Sequence, residues 1–320
     1  MGPVSESASL PGRDRSRSRR GRPARFAAAF AALLGLAAYV AVHQVTGSMG
    51  TPQCTVGSGG TVYEFTPEQA SNAATISAVG TTRGMPERAV TIALATALQE
   101  SALRNIRHGD RDSLGLFQQR PSQGWGTPEQ ILDPVYSSGK FYDGLAKVPG
   151  YSRLPLTVAA QKVQRSGFPQ AYAKHEPDAA LLAAALTGRS PATLSCRTGT
   201  PGGTQEARAG DPAKLRAELL RDFGPRIAPK AVTGGAGSAG AHAGGGDAVI
   251  SVPVRATTGT EAQRGWEVAH WAVARAEALR IEEVAFADRV WRAGDAAGAW
   301  AKARTATAGD AGTVRIRLAR

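Results

Sequence analysis

The chain has 320 residues, 42% of them hydrophobic, with 38 Gly and 19 Pro. That excludes a wholly disordered protein and suggests about two folded domains joined by linkers. The net charge of +12 suits an anionic partner (nucleic acid, a membrane surface or an acidic wall polymer), while two Cys without a neighbouring His cluster exclude a cysteine metal site.

Residues 1–25 carry seven Arg against Glu6 and Asp14 and read as a disordered basic tail. Phe26 to Val45 has no formal charge and is long enough for the hydrocarbon core. Arginines precede it, and no charged residue follows until Glu64. The positive-inside rule therefore predicts a single-pass signal-anchor, with the N-terminus cytoplasmic and the bulk extracytoplasmic. A cleaved signal peptide is the alternative, and it exports the same remainder. The anchor beside the basic tail argues against nucleic acid as the partner. In an oxidising compartment Cys54 and Cys196, which bracket the next region, read as a disulfide; two free thiols are the alternative.

Residues 46–63 read as a tether, and Thr66-Pro67-Glu68 as the start of a helix to about Gly80. Ala89 to Leu98 contains only Ala, Val, Ile and Leu apart from Thr91 and Thr96, which predicts a helix buried on every side. Gln99, Glu100 and Ser101 follow at its end. Helices are also expected over Pro128–Val148 with a break near Pro134, over Leu156–Arg165 and over Pro169–Leu186. The region 64–197 is thus a mainly α domain. Residues 198–247 read as a Gly/Ala/Pro-rich linker, with a weak helix at Pro212–Phe223. Residues 248–320 read as a small α+β domain: strands at 248–254, 281–291 and 313–318, and an amphipathic helix over Glu261–Arg280.

Glu100 is the candidate for acid–base chemistry. An apolar helix wall, the negative helix C-terminus and the nearby Asp110 and Asp112 would each raise its pKa, keeping a proton available for a leaving oxygen. A solvated helix-end Glu is the plain alternative. Asp110 or Asp112, with Asp112 the first choice, is the candidate second carboxylate, against an Asx turn in His108-Gly109-Asp110 that merely shapes the loop. Trp125, between Gly124 and Gly126, would either stack on a sugar ring or plug the loop from beneath. No metal constellation, phosphate-binding glycine loop or nucleophile elbow is present, so no cofactor is expected.

Gln99-Glu100-Ser101 followed by Gly-Leu-Phe-Gln-Gln at 115–119 resembles the Glu-Ser and Gly-Leu-Met-Gln signatures of lytic transglycosylases. The block from about 64 to 190, including GDRDSLGLFQQRPSQGWGTPEQ, is similar to exported lysozyme-like proteins of actinobacteria. The resemblance implies a lysozyme-like fold and cleavage of peptidoglycan glycan strands by a transglycosylase or muramidase route. It implies Glu100 as acid and then base, Ser101 as a loop holder, and Gln118 and Gln119 as substrate contacts. Tyr172, in Ala171-Tyr172-Ala173, is nearest to the family's Ala-Tyr-Asn motif and lacks its Asn; Phe117 replaces the usual Met. A non-catalytic lysozyme-like scaffold that holds glycan is the alternative. Gly265-Trp266-x-x-Ala269-x-Trp271, Arg289-Val290-Trp291, Trp300 and the final strand resemble a module that ends many actinobacterial cell-wall hydrolases. Relatives carry Asp-His-Val-His in that strand; here the histidines are absent, so the implied role of 248–320 is recognition of the wall or of a protein partner, without metal. Core packing is the plain reading of its tryptophans.

Overall fold

The computed structural model describes residues 52–165, 170–198, 209–232, 249–256, 259–295, 298–303 and 312–320, together with Gly35. Residues 51–320 form one compact unit, separate from 1–50. The basic tail and the expected span at 26–45 lie outside the described residues, apart from Gly35. Among the described residues no helix is long and apolar enough to cross a membrane.

The stretch read as a tether is in part a hairpin, β1 (Gln53–Ser58) and β2 (Thr61–Phe65). Gly59 and Gly60 both have positive φ, as a tight two-residue hairpin turn requires. Cys54 and Val56 point inward, while Ser58 and the Gly pair stay exposed. Strand β3 (Leu194–Arg197) pairs with the other edge of β1 and sets Cys54 directly opposite Cys196, to which it is disulfide-bonded. The bond closes the whole helical region into one loop. Serine at both positions is expected to cost about 2–5 kcal/mol, read as a lower denaturation midpoint that reductant reproduces in the wild type.

Helix α1 (Pro67–Thr82) starts on a capping box between Thr66 and Gln69 with Pro in its first turn. Helix α2 (Glu87–Ser101) is buried continuously from Ala89 to Leu98, as its composition predicts. Short α3 (Pro128–Ile131) and α4 (Pro134–Ala146) are separated by Asp133, whose carboxylate caps α4. Helices α5 (Leu156–Gln164) and α6 (Glu176–Leu186) complete a layer around α2. The expected helix start at Pro169 lies outside the described residues; α6 begins at Glu176, with Pro177 in its first turn.

The segment read as a linker also contributes structure. Helix α7 (Pro212–Phe223) is present and capped by Asp211, and Lys230–Val232 forms β4. The rest of the expected spacer, 233–246, lies outside the described residues. Next come β5 (Val249–Pro253), α8 (Glu261–Ala274), α9 (Ala276–Leu279), β6 (Ile281–Phe286), β7 (Arg289–Arg292), β8 (Ala301–Lys302) and β9 (Thr313–Leu318). They form an antiparallel sheet ordered β4-β5-β9-β6-β7-β8. The single strand expected over 281–291 is a hairpin turned by Ala287, which adopts φ 51° without glycine. A Cβ on Gly265 would lie 1.9 Å from Phe286 Cζ, so glycine there lets α8 settle on the sheet.

The helical part and the C-terminal α+β part pack against one another. Helix α8 touches α1, α6 and β3 on one side and the sheet on the other. Trp266, Trp271, Trp291 and Trp300 are all buried. Trp291 and Trp300 donate their indole N–H to the Cys196 and Leu194 carbonyls of β3, at 3.2 and 2.8 Å. These rings are therefore braces between the two parts and offer no recognition surface. His270 is buried beside Trp266 and Trp300, and burial pushes its pKa down to about 4.

Candidate functional site

The chain reverses immediately after Glu100–Ser101. Ala102 and Leu103 have φ of 52° and 58°, a left-handed pair without glycine. Such a pair persists only when its surroundings hold it, and here they do. Gln69 Nε2 donates to the Ala102 carbonyl at 2.9 Å, and Asn72 Nδ2 to the Leu103 carbonyl at 2.8 Å. The buried Ser101 hydroxyl donates to the Leu116 carbonyl at 2.8 Å and also approaches the Ala97 carbonyl. The end of α2 is thus tied to α1 and to the Gly115–Gln119 loop.

That loop is closed by a β-bridge between Leu114 and Gln119. Gly115 has φ 74°, and a Cβ on it would lie 2.7 Å from the Ile131 carbonyl, so the loop admits no larger residue. Leu116 and Phe117 are fully buried, with Phe117 stacked on Phe141 of α4. Gln164, at the end of α5, donates to the Phe117 carbonyl at 2.7 Å and also hydrogen-bonds Glu100. Tyr172 is fully buried and donates its hydroxyl to Glu100 Oε1 at 2.6 Å. Two separate segments, carrying Gln164 and Tyr172, therefore converge on the Glu100 carboxyl.

Burial raises the pKa of Glu100, and the hydrogen bonds from Tyr172 and Gln164 oppose the rise without cancelling it. A carboxyl that holds its proton above the ordinary range, at a half-buried helix end, can donate that proton and take one back. Removing the Tyr172 hydroxyl deletes a bond that favours the ionised form. Tyr172→Phe is accordingly expected to move the alkaline limb of any Glu100-dependent rate to higher pH. The plateau should fall by no more than about tenfold, the worth of one hydrogen bond. A pH–rate profile reads both effects.

The other predicted residues divide clearly. Gln118 is half-buried at φ 48°, its amide donating to the Gly115 carbonyl at 3.2 Å. Gln119, expected to contact substrate, is 1% exposed and donates to the Ser137 carbonyl at 3.1 Å. It is a scaffold residue, because adjacent residues across the tight loop face opposite ways. Ser101 and Tyr172 also act from within, on the loop and on the Glu100 carboxyl. Asp112 accepts from Arg120 Nε and from the Ser122 amide, both at 2.8 Å, which holds its carboxyl well below the usual carboxylate range. Both its oxygens are engaged in pinning the loop. The Trp125 indole is half-buried, with its backbone carbonyl accepting the Tyr136 hydroxyl at 3.2 Å.

Gln164 carries no sequence signal, because it matches no motif and closes an ordinary amphipathic helix. His175 is half-buried, its Nε2 3.2 Å from Gln99 Oε1. Among the described residues no group of His, Cys, Asp and Glu could hold a metal ion.

A family model described as VldE, C-terminal domain matches residues 207–312, about a third of the chain. The match runs from just before α7 to the residue before β9 and leaves Glu100, Trp125 and Tyr172 outside it. No curated protein matches the chain. The likeness shown by these comparisons is thus to a VldE C-terminal domain, over α7 to β8.

Proposed function

We propose that the chain is an exported peptidoglycan-cleaving enzyme of lysozyme-like fold, with Glu100 as its acid/base. The observation that carries this is the single half-buried carboxyl held by Tyr172 and Gln164, with its pKa raised by burial. The resemblance of Glu100-Ser101 and Gly115–Gln119 to lytic transglycosylase signatures supports the substrate. Residues 26–45 would anchor the protein in the cytoplasmic membrane and present the folded unit to the wall.

Glu100 would donate its proton to the glycosidic oxygen between N-acetylmuramic acid and N-acetylglucosamine as the C–O bond breaks. With Asp112 committed to Arg120 and Ser122, the sugar cation would not depend on that carboxylate. The substrate's own acetamido oxygen would attack the anomeric carbon instead. The now ionised Glu100 would then take the proton of the sugar 6-hydroxyl, whose oxygen closes a 1,6-anhydro ring and expels the acetamido oxygen. The transglycosylase route is therefore preferred over hydrolysis. Mass spectrometry of material released from purified sacculi tests it. Anhydro-muropeptides are expected; reducing muropeptides, heavier by one water, would contradict the transglycosylase route.

A further inference from the structure

Between the 123–125 loop and α4 lies a concavity that the proton chemistry does not use. It encloses about 590 Å³ and is lined by Trp125 on one side and by Lys140, Asp143, Gly144 and Lys147 on the other. Lys140 and Lys147 are seven residues apart, so they sit two helical turns apart on the same stripe of α4 and its C-terminal cap. Gly144 lies between them on that stripe. A Cβ there would be 3.0 Å from Val163 Cγ1 and 4.0 Å from Trp125 Cη2, so the lack of a side chain keeps the trough open.

The charge of the trough is decided by pairing. Asp143, its acidic lining residue, forms an ion pair with Arg83. Neither Lys140 nor Lys147 has an ion pair among the described residues; Lys140 lies 5.4 Å from the Tyr136 ring centroid. Two lysines without an ion pair and a half-buried indole thus line one open cavity. An indole face suits the apolar face of a sugar ring, and the ammonium groups suit an oxyanion. We propose that this trough binds an acidic saccharide, with the ring on Trp125 and its carboxylate or phosphate between Lys140 and Lys147. The inference rests on the glycan-strand reading for its sugar, and names a charged group on the strand as a recognition element.

Trp125 reports on its own site, because the other four Trp are buried. The test is protection of Trp125 fluorescence from acrylamide quenching in the full chain. The probes are N-acetylmuramic acid, N-acetylglucosamine (its counterpart without the lactyl carboxylate) and glucose 6-phosphate. The acidic sugars are expected to bind at least about fivefold more tightly than the neutral one, the worth of one or two exposed charge pairs, and to lose that lead at high salt. Lys140→Ala with Lys147→Ala should abolish the preference, while arginine at both positions should keep it. The tighter of the two acids identifies carboxylate or phosphate as the natural group. Equal binding of neutral and acidic sugars, no binding of either acid, or a preference that survives the double alanine variant overturns the proposal. Glu100→Gln should leave the preference intact. A wild type that prefers acidic sugars yet releases no muropeptides removes the cleavage reading and leaves this one standing.

Discussion

Glu100→Gln is expected to lower the rate of glycan release by about 10²–10⁴-fold, the usual contribution of a positioned proton donor. Glutamine keeps the shape and still accepts a hydrogen bond from Tyr172, so the loss isolates the proton. The same substitution should stabilise the fold at neutral pH. Burial raises the pKa of Glu100 above its ordinary 4.5, so the native state binds the proton more tightly than the unfolded chain. Wild-type stability is then greatest below that ordinary value and declines as pH rises toward the raised one. Glutamine does not ionise and escapes the decline. Melting temperatures of the two proteins should therefore coincide at acid pH, with the variant above the wild type at pH 7. A variant less stable at pH 7 would mean that the ionised carboxylate is favoured by its surroundings, contrary to its burial.

The second large effect lies at the junction of the helical and α+β parts. Asp222 of α7 is 2% exposed, and its Oδ2 accepts from Thr75 of α1, Trp271 of α8 and Arg275 at 3.0, 2.8 and 2.5 Å. Arg275, 7% exposed, also donates to Glu218 at 2.8 Å. It sits at the break between α8 and α9, where the expected single helix from Glu261 to Arg280 is interrupted. Three elements far apart in sequence thus share one buried ion pair. Arg275→Ala leaves the Asp222 carboxylate buried without its cation and is expected to cost about 3–5 kcal/mol in denaturant unfolding. Replacing both partners, as Arg275→Met with Asp222→Leu, should recover most of that loss, because desolvation offsets much of what an ion pair gains. A single variant that costs less than about 1 kcal/mol would contradict the junction's role.

Much of this arrangement is legible in the sequence where composition is extreme. The run Ala89–Leu98 can only be buried, and the Thr66-Pro67 start is a cap that the structure uses as read. The cysteines bracket the helical region and are bonded. Elsewhere the signal was present but outweighed. Gly59-Gly60 between Val56 and Val62 marks a hairpin turn, yet the polarity around it reads as a tether. The β6–β7 turn carries no glycine, proline or asparagine, because Ala287 takes the left-handed conformation itself. Helix α7 looks weak in isolation, since its stability comes from packing against α1 and from the Asp222 network. Around Glu100 the sequence names the carboxyl, Ser101 and Tyr172, all of which the fold brings together. The resemblance implies Gln119 as a substrate contact, whereas it lies buried against Ser137, and the sequence omits Gln164. Which side of a six-residue loop faces inward depends on the bridge from Leu114 to Gln119, and no periodicity records that.

The most direct measurement is release of soluble muropeptides from purified sacculi by the wild type and by Glu100→Gln, with sacculus binding followed in parallel. Release by the wild type alone, with equal binding by both proteins, is the result predicted here. If neither protein releases muropeptides while both bind, the chain holds glycan without cutting it. If both release them at similar rates, Glu100 is not the acid.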